Sequence, residues 1–174
     1  VTPALLRRAR AGEWDARDAL FDRFGKVVFD TAYRLTKNRD DAQDVVQEVF
    51  LGLPGALRSY EGRGSFEGWL RRVAARRALM LLRSRRQKRE VSIDIDTAPR
   101  VGGAVPPDRV EDRVAIEEGI ASLKDGQRIV FVLKEIEGYS HREIAKLLSI
   151  TVLASRSRYH RALKRLREFL EDSS

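Results

Sequence analysis

Residues 140–151 read Ser140-His-Arg-Glu143-Ile-Ala-Lys-Leu-Leu148-Ser-Ile-Thr151, and a long basic stretch follows them. Ser140 and Glu143 have the spacing of a capping box, in which the hydroxyl accepts from the Glu143 N–H and the carboxylate reaches back to the Ser140 N–H. A short helix over Ile144–Leu148 is therefore expected, then a turn of Ser149, Ile150 and Thr151. The helix after the turn can pack through Tyr159, Ala162, Leu163, Leu166 and Leu170. Short helix, tight turn and long helix make the outline of a helix-turn-helix. Many helix pairs share that outline. The basic character of the second helix is what directs it toward nucleic acid.

Upstream, Asp125 is placed to cap a helix holding Ile129, Val130, Leu133 and Ile136, and Gly138 suits the position just past its end. A further helix is expected from about Val110 to Leu123. Before it, periodicity is lost over 91–111, with Pro99, Gly102-Gly103 and Pro106-Pro107, which reads as a flexible linker. The first ninety residues are helical in pattern. One helix spans 15–36, with Leu20, Phe24, Val27, Val28 and Leu35 on its apolar side. Asn38-Arg39-Asp40 breaks it, and Ala42, Val45, Val46, Val49, Phe50 and Leu53 then form an amphipathic stripe that Pro54-Gly55 should end. Tyr60–Ser65 reads as a loop, with Ser65 as N-cap of a helix from Phe66 to about Arg85. Strand-like alternation occurs only at Val91–Ile95, too short for a sheet. The expectation is an all-α chain of two helical domains, 1–90 and 110–174, joined by a flexible linker at 91–109, with the helix-turn-helix in the second.

The net charge is +8, and its placement is informative. Residues 63–90 hold ten Lys/Arg against Glu67 and Glu90, so this segment alone carries the excess. Residues 144–167 hold Lys146, Arg156, Arg158, Arg161, Lys164, Arg165 and Arg167 with no acid. Two basic blocks, one in each domain, suggest two contacts with a polyanion. The absence of cysteine excludes disulfides, thiolate zinc sites and a cysteine nucleophile, in keeping with the cytoplasm. Acidic and polar residues follow Arg7, Arg8 and Arg10 at once, so no secretory leader is expected. The longest apolar run, Ile129–Leu133, is far short of a membrane span. With only His141 and His160, no metal site is expected, and no catalytic constellation or phosphate-binding Gly-rich loop is found.

The stretch Asp41-Ala-Gln-Asp-Val-Val-Gln-Glu-Val-Phe50 resembles region 2.2 of the extracytoplasmic-function (ECF) sigma factors of bacterial RNA polymerase. Tyr60-Glu-Gly-Arg-Gly-Ser-Phe66 and Trp69-Leu70 resemble the loop and helix start of regions 2.3–2.4. Gln127–Phe131, Glu137–Ala145 and Ser157–Ala162 resemble region 4. The resemblance covers nearly the whole chain apart from the linker. The chain differs from the family pattern at Arg76 and Met80, where Asn and Asp are frequent, and at Pro54-Gly55. It differs again at Ser149, where Gly is common, and at Leu153-Ala154 in place of Gly-Thr.

The resemblance implies a promoter-specific initiation factor with no enzymatic activity and no cofactor. Its polymerase-facing surface would be Asp41, Asp44, Gln47, Glu48 and Leu51, docking on the clamp helices of the β′ subunit. Opening the −10 element needs a pocket for a flipped base and cations along the backbone. Tyr60, Arg63, Ser65, Phe66, Trp69, Arg71, Arg72, Arg76 and Arg77 would supply them. The −35 element would be read by Ser140, Thr151, Ser155, Arg156, Arg158, Tyr159 and Arg161. Arginine pairs bidentately with guanine, so Arg156 is favoured as base reader and Arg158 as phosphate holder. An anti-sigma factor is a further partner that the family implies. Two other classes stay open. A sigma-mimicking interaction module would not need Arg/Lys concentrated on both domains. A DNA-processing enzyme with a helix-turn-helix would need a nucleophile that the first ninety residues do not offer.

Overall fold

The computed structural model describes residues 1–91 and 111–172, and all regular structure among them is helical. The chain divides into two compact units, Val1–Val101 and Gly102–Ser174. Of the linker expected at 91–109, only Val91 lies among the described residues, and it closes a helix.

The first unit holds α1 (Pro3–Arg10), α2 (Trp14–Thr36), α3 (Arg39–Leu51), α4 (Leu53–Ala56), a 3₁₀ turn at Leu57–Ser59 and α5 (Phe66–Val91). Helix α1 was not foreseen. Its signal is Thr2, whose hydroxyl accepts from Leu5 N, followed by Pro3 at the first helical position. Asn38 caps α3 by accepting from Asp41 N at 3.0 Å, and Ser65 caps α5 by accepting from Gly68 N at 3.0 Å. Pro54 does not end a helix reaching Leu53. The chain breaks at Gly52, and Pro54 sits in the first turn of α4, where its missing N–H costs nothing. Helix α5 runs to Val91, beyond the stop expected near Arg85.

Helices α2, α3 and α5 pack on one another. Leu20, Phe24, Val28 and Leu35 of α2, Val45, Val46, Val49 and Phe50 of α3, and Phe66, Leu70 and Leu79 of α5 are buried in the core of this unit. Ala74, Ala75 and Ala78 are buried too, and such small side chains let α5 lie close to its neighbours. Each fully buried leucine here contributes about 1.5–3 kcal/mol.

The second unit holds α6 (Glu111–Ser122), α7 (Asp125–Phe131), a π-helical turn at Val132–Ile136, α8 (His141–Leu148) and α9 (Val152–Asp172). Helix α9 packs against α6, α7 and α8 over a core of Ile120, Leu123, Val130, Leu133, Tyr139, Ile144, Ala162 and Leu166. A Cβ on Gly119 would stand 3.0 Å from Leu166 and 3.1 Å from Phe169, so α6 and α9 approach closely there. Asp125 does not cap α7. Lys124 holds the cap position, and the Asp125 carboxylate bonds the buried Arg128 guanidinium at 2.8 Å. Gly138 has φ 72°, as a helix-ending glycine should, and Tyr139 N donates to Leu133 O at 2.9 Å.

The turn between α8 and α9 runs through Ser149 at φ 54°, ψ 46°, a left-handed conformation that strains any residue with a Cβ. Ser149→Gly should therefore raise the stability of this unit. The relieved strain is about 1–2 kcal/mol, partly offset by glycine's greater unfolded-state entropy, for a net of roughly 0.5–1 kcal/mol. Urea unfolding of the variant checks this. A loss of stability would mean that the serine side chain contributes more than its backbone costs.

Candidate nucleic-acid and protein interfaces

On α3 the i, i+3, i+4 pattern buries Ala42, Val45, Val46 and Val49, leaving Asp44, Gln47, Glu48 and Leu51 exposed. Leu51 is 67% exposed, a large apolar side chain beside two carboxylates and an amide. Asp41 does not join that face. It is 2% exposed and ion-paired with Arg85 of α5. It precedes Val45 by four residues, so helical geometry places it on the packed side. Glu48 faces α5 in part, 4.0 Å from Arg77. Arg77 and Arg85 thus lie toward α3 and its carboxylates, and Arg77 stays exposed, with its guanidinium at the limit of ion-pair distance from Glu48.

The loop before α5 is exposed, and Arg63 pairs with Glu61 at 3.1 Å. Phe66 is core, not surface. Its ring lies 5.2 Å from Phe24 and 5.6 Å from Tyr60, both edge-on. Tyr60 and Trp69 are half-buried with centroids 5.1 Å apart, so part of each ring remains open. Along α5, Trp69, Arg72, Arg76 and Met80 follow at i, i+3, i+7 and i+11, a single side on which Arg76 and Met80 are exposed. Arg71 pairs with Glu67 one turn earlier at 3.4 Å. Ser65 is exposed, with its hydroxyl engaged as a cap.

In the second unit α8 and α9 are each capped by a side chain. Ser140 and Glu143 make the capping box, at 3.2 and 2.8 Å, and Thr151 accepts from Ala154 N at 3.0 Å. Ser155, expected at a base edge, is fully buried, with its hydroxyl 2.9 Å from His141 Nδ1 on α8. Tyr159 is half-buried, with its ring against the unit. Its phenol donates to Glu135 at 2.7 Å, and its ring lies edge-on to His141 at 5.5 Å. The Glu135 bond raises the phenol's pKa above its ordinary value. Arg158 lies over the start of α7, its guanidinium 3.5 Å from where a Gly126 Cβ would stand. Arg156, His160 and Arg161 remain exposed.

The His141 ring, tied to α9 in this way, has its pKa lowered, first by partial burial and then by the cations Lys134 and Arg156 and by His160. A histidine whose folded pKa is depressed binds its proton more readily when unfolded. Its contribution to stability is complete above about pH 6.5 and falls as the pH drops below that. Urea unfolding at pH 7.5 and 5.5 should show lower stability at the acid value, with a smaller difference in His141→Gln. An equal difference in the variant would place the titration elsewhere.

Comparison with known families decides what these surfaces belong to. Residues 20–88 match the Sigma-70 region 2 family, and residues 113–166 match the Sigma-70, region 4 family. The chain is also 32% identical over 165 residues to the RNA polymerase sigma factor CarQ of Myxococcus xanthus, covering 95% of each protein. It belongs to the ECF family of RNA polymerase sigma factors. It is 29% identical to the ECF sigma factor SigW of Bacillus subtilis, covering 96% of this chain and 95% of that one. It is 33% identical to SigE of Mycolicibacterium smegmatis, of whose length it spans 62%. Among solved structures it is similar to CnrH in complex with the cytosolic domain of CnrY, at 26% identity and TM-score 0.53, covering 98% and 97% of the two chains. The sigma factor RpoE of Bartonella quintana, solved with the anti-sigma factor NepR, shares the fold at TM-score 0.60 and 21% identity, covering 88% and 96%.

Among the described residues of this sigma factor, no helix is long and apolar enough to cross a membrane. Sequence reasoning about region 4 missed the link from His141 to Ser155 and the role of Glu135. The spacing of Ser155, Ala162 and Leu166 on α9 carried a signal for the first, since seven and eleven residues return to one helical face. The second depends on the π-helical turn, which has no periodic signature.

Proposed function

We propose that this sigma factor directs promoter-specific transcription initiation by joining core RNA polymerase, in the cytoplasm, to the −10 and −35 elements. The observation that carries the reading is the order of the two family matches, one in each compact unit, with exposed arginine on the relevant helix of both. Residues 1–90 would form the polymerase and −10 domain, 91–109 the linker and 110–174 the −35 domain. Asp44, Gln47, Glu48 and Leu51 face the β′ clamp helices. An acidic and amide surface with one exposed leucine suits a basic coiled coil. Tyr60, Arg63, Ser65, Trp69, Arg71, Arg72 and Arg76 serve the −10 element, with open ring surface for an unstacked base and cations for phosphates. Thr151, Arg156 and Arg161 serve the −35 element, with Ser140 and Thr151 holding the two helix starts. The polymerisation chemistry belongs to the partner enzyme. An anti-sigma factor is a further partner, a reading supported by the CnrH and RpoE complexes.

Run-off transcription with core polymerase over a promoter library tests the whole reading. Start sites should cluster behind one shared pair of elements. A chain that binds an anti-sigma partner yet yields no discrete start sites with core polymerase would instead be a sigma-mimicking module.

A further inference from the structure

Leu153 is 77% exposed, more than any other large apolar side chain among the described residues. It is the second residue of α9, just past the Thr151 cap. A lone exposed leucine would call for no explanation. Its surroundings set this one apart. In the first turn and a half of α9, Ser155 points into the unit and Val152 and Ala154 are half-covered, so the open side belongs to Leu153 and Arg156. Residues three apart on a helix are about 60° apart around the axis and about 4.5 Å along it. Base pairs are about 3.4 Å apart. Two such side chains therefore reach base pairs one or two steps from each other. In the major groove, the apolar group that separates one base from the others is the C5-methyl of thymine.

We propose that Leu153 is a specificity-determining residue that reads a thymine, packing on its C5-methyl group within two base pairs of the guanine held by Arg156. The inference rests on the reading of α9 as the helix that enters the −35 major groove. It adds a base and a chemical group to that reading. Arg156, Arg161 and Lys164 supply cations on the exposed part of the same helix, so the leucine sits in a setting suited to a polyanion. A protein partner covering Leu153 is the competing occupant, and the test separates the two.

Holoenzyme is reconstituted from core polymerase and the full chain, and the preferred −35 element is selected from a library. Each thymine of that element is then replaced singly by deoxyuridine, which removes only the methyl group. At one position, wild-type holoenzyme should lose about fourfold in affinity, the worth of one buried methyl. Leu153→Ala should bind thymine and uracil equally there while keeping its guanine preference, and Leu153→Met should restore part of the difference. An element with no thymine within two base pairs of the Arg156-dependent guanine overturns the proposal. So does a Leu153→Ala holoenzyme as sensitive to deoxyuridine as wild type. Weakened holoenzyme assembly in Leu153→Ala with the uracil effect intact assigns the leucine to a protein contact. Wild-type holoenzyme indifferent to every −35 change would overturn the placement of α9 itself.

Discussion

Arg156→Ala should lose about 1–3 kcal/mol of binding at one promoter position, from about fivefold to more than a hundredfold, and should relax the preference for guanine there. Arg156 is exposed near the start of α9, where recognition helices meet base edges. Its neighbour two residues on should behave differently. Arg158 was expected to hold a phosphate, but its guanidinium covers Gly126 at the start of α7. Arg158→Ala should change the stability of the unit and leave the salt dependence of DNA binding as in wild type. Arg161→Ala, at an exposed position, should lower the salt slope by about one unit. Measuring the three variants against −35 variants at two salt concentrations separates these roles. A wild-type specificity profile for Arg156→Ala would remove it from the base edge.

The second large effect is on polymerase binding. Gln47→Ala combined with Glu48→Lys should weaken association with core polymerase by several kcal/mol, enough to abolish capture in a pull-down. The reversal sets a cation against a basic partner and removes an amide beside Leu51. It also sets a lysine near Arg77, which lies 4.0 Å from Glu48. That pair is half-exposed, so its loss should cost no more than about 1 kcal/mol of stability. An unfolding curve for the variant distinguishes a lost interface from a lost fold. If the folded variant captures polymerase as wild type does, the docking face lies elsewhere.

Apart from α1 and α4, the helices and their order were legible in the residues, their starts better than their ends. The stripe from Ala42 to Phe50 named the buried side of α3. Ser65 and Ser140 marked helix starts because a short side-chain oxygen satisfies a backbone N–H that the helix leaves open. These are local effects, complete within a few residues of sequence. Which side of a helix stays open is not local when several neighbours cover it. Helix α9 packs on α6, α7 and α8, so a face polar enough to look exposed could be buried. Ser155 is buried because His141, fourteen residues earlier, offers a ring nitrogen to its hydroxyl. Tyr159 packs as its spacing predicted, but the partner of its phenol, Glu135, comes from the π-helical turn. Asp41 can be buried on the side its spacing to Val45 sets because Arg85, on another helix, compensates its charge. Periodicity groups the residues that share a face. Only the packed neighbours decide which faces meet protein and which are left for DNA and polymerase, because a buried polar group is tolerated only where a partner from elsewhere in the chain satisfies it.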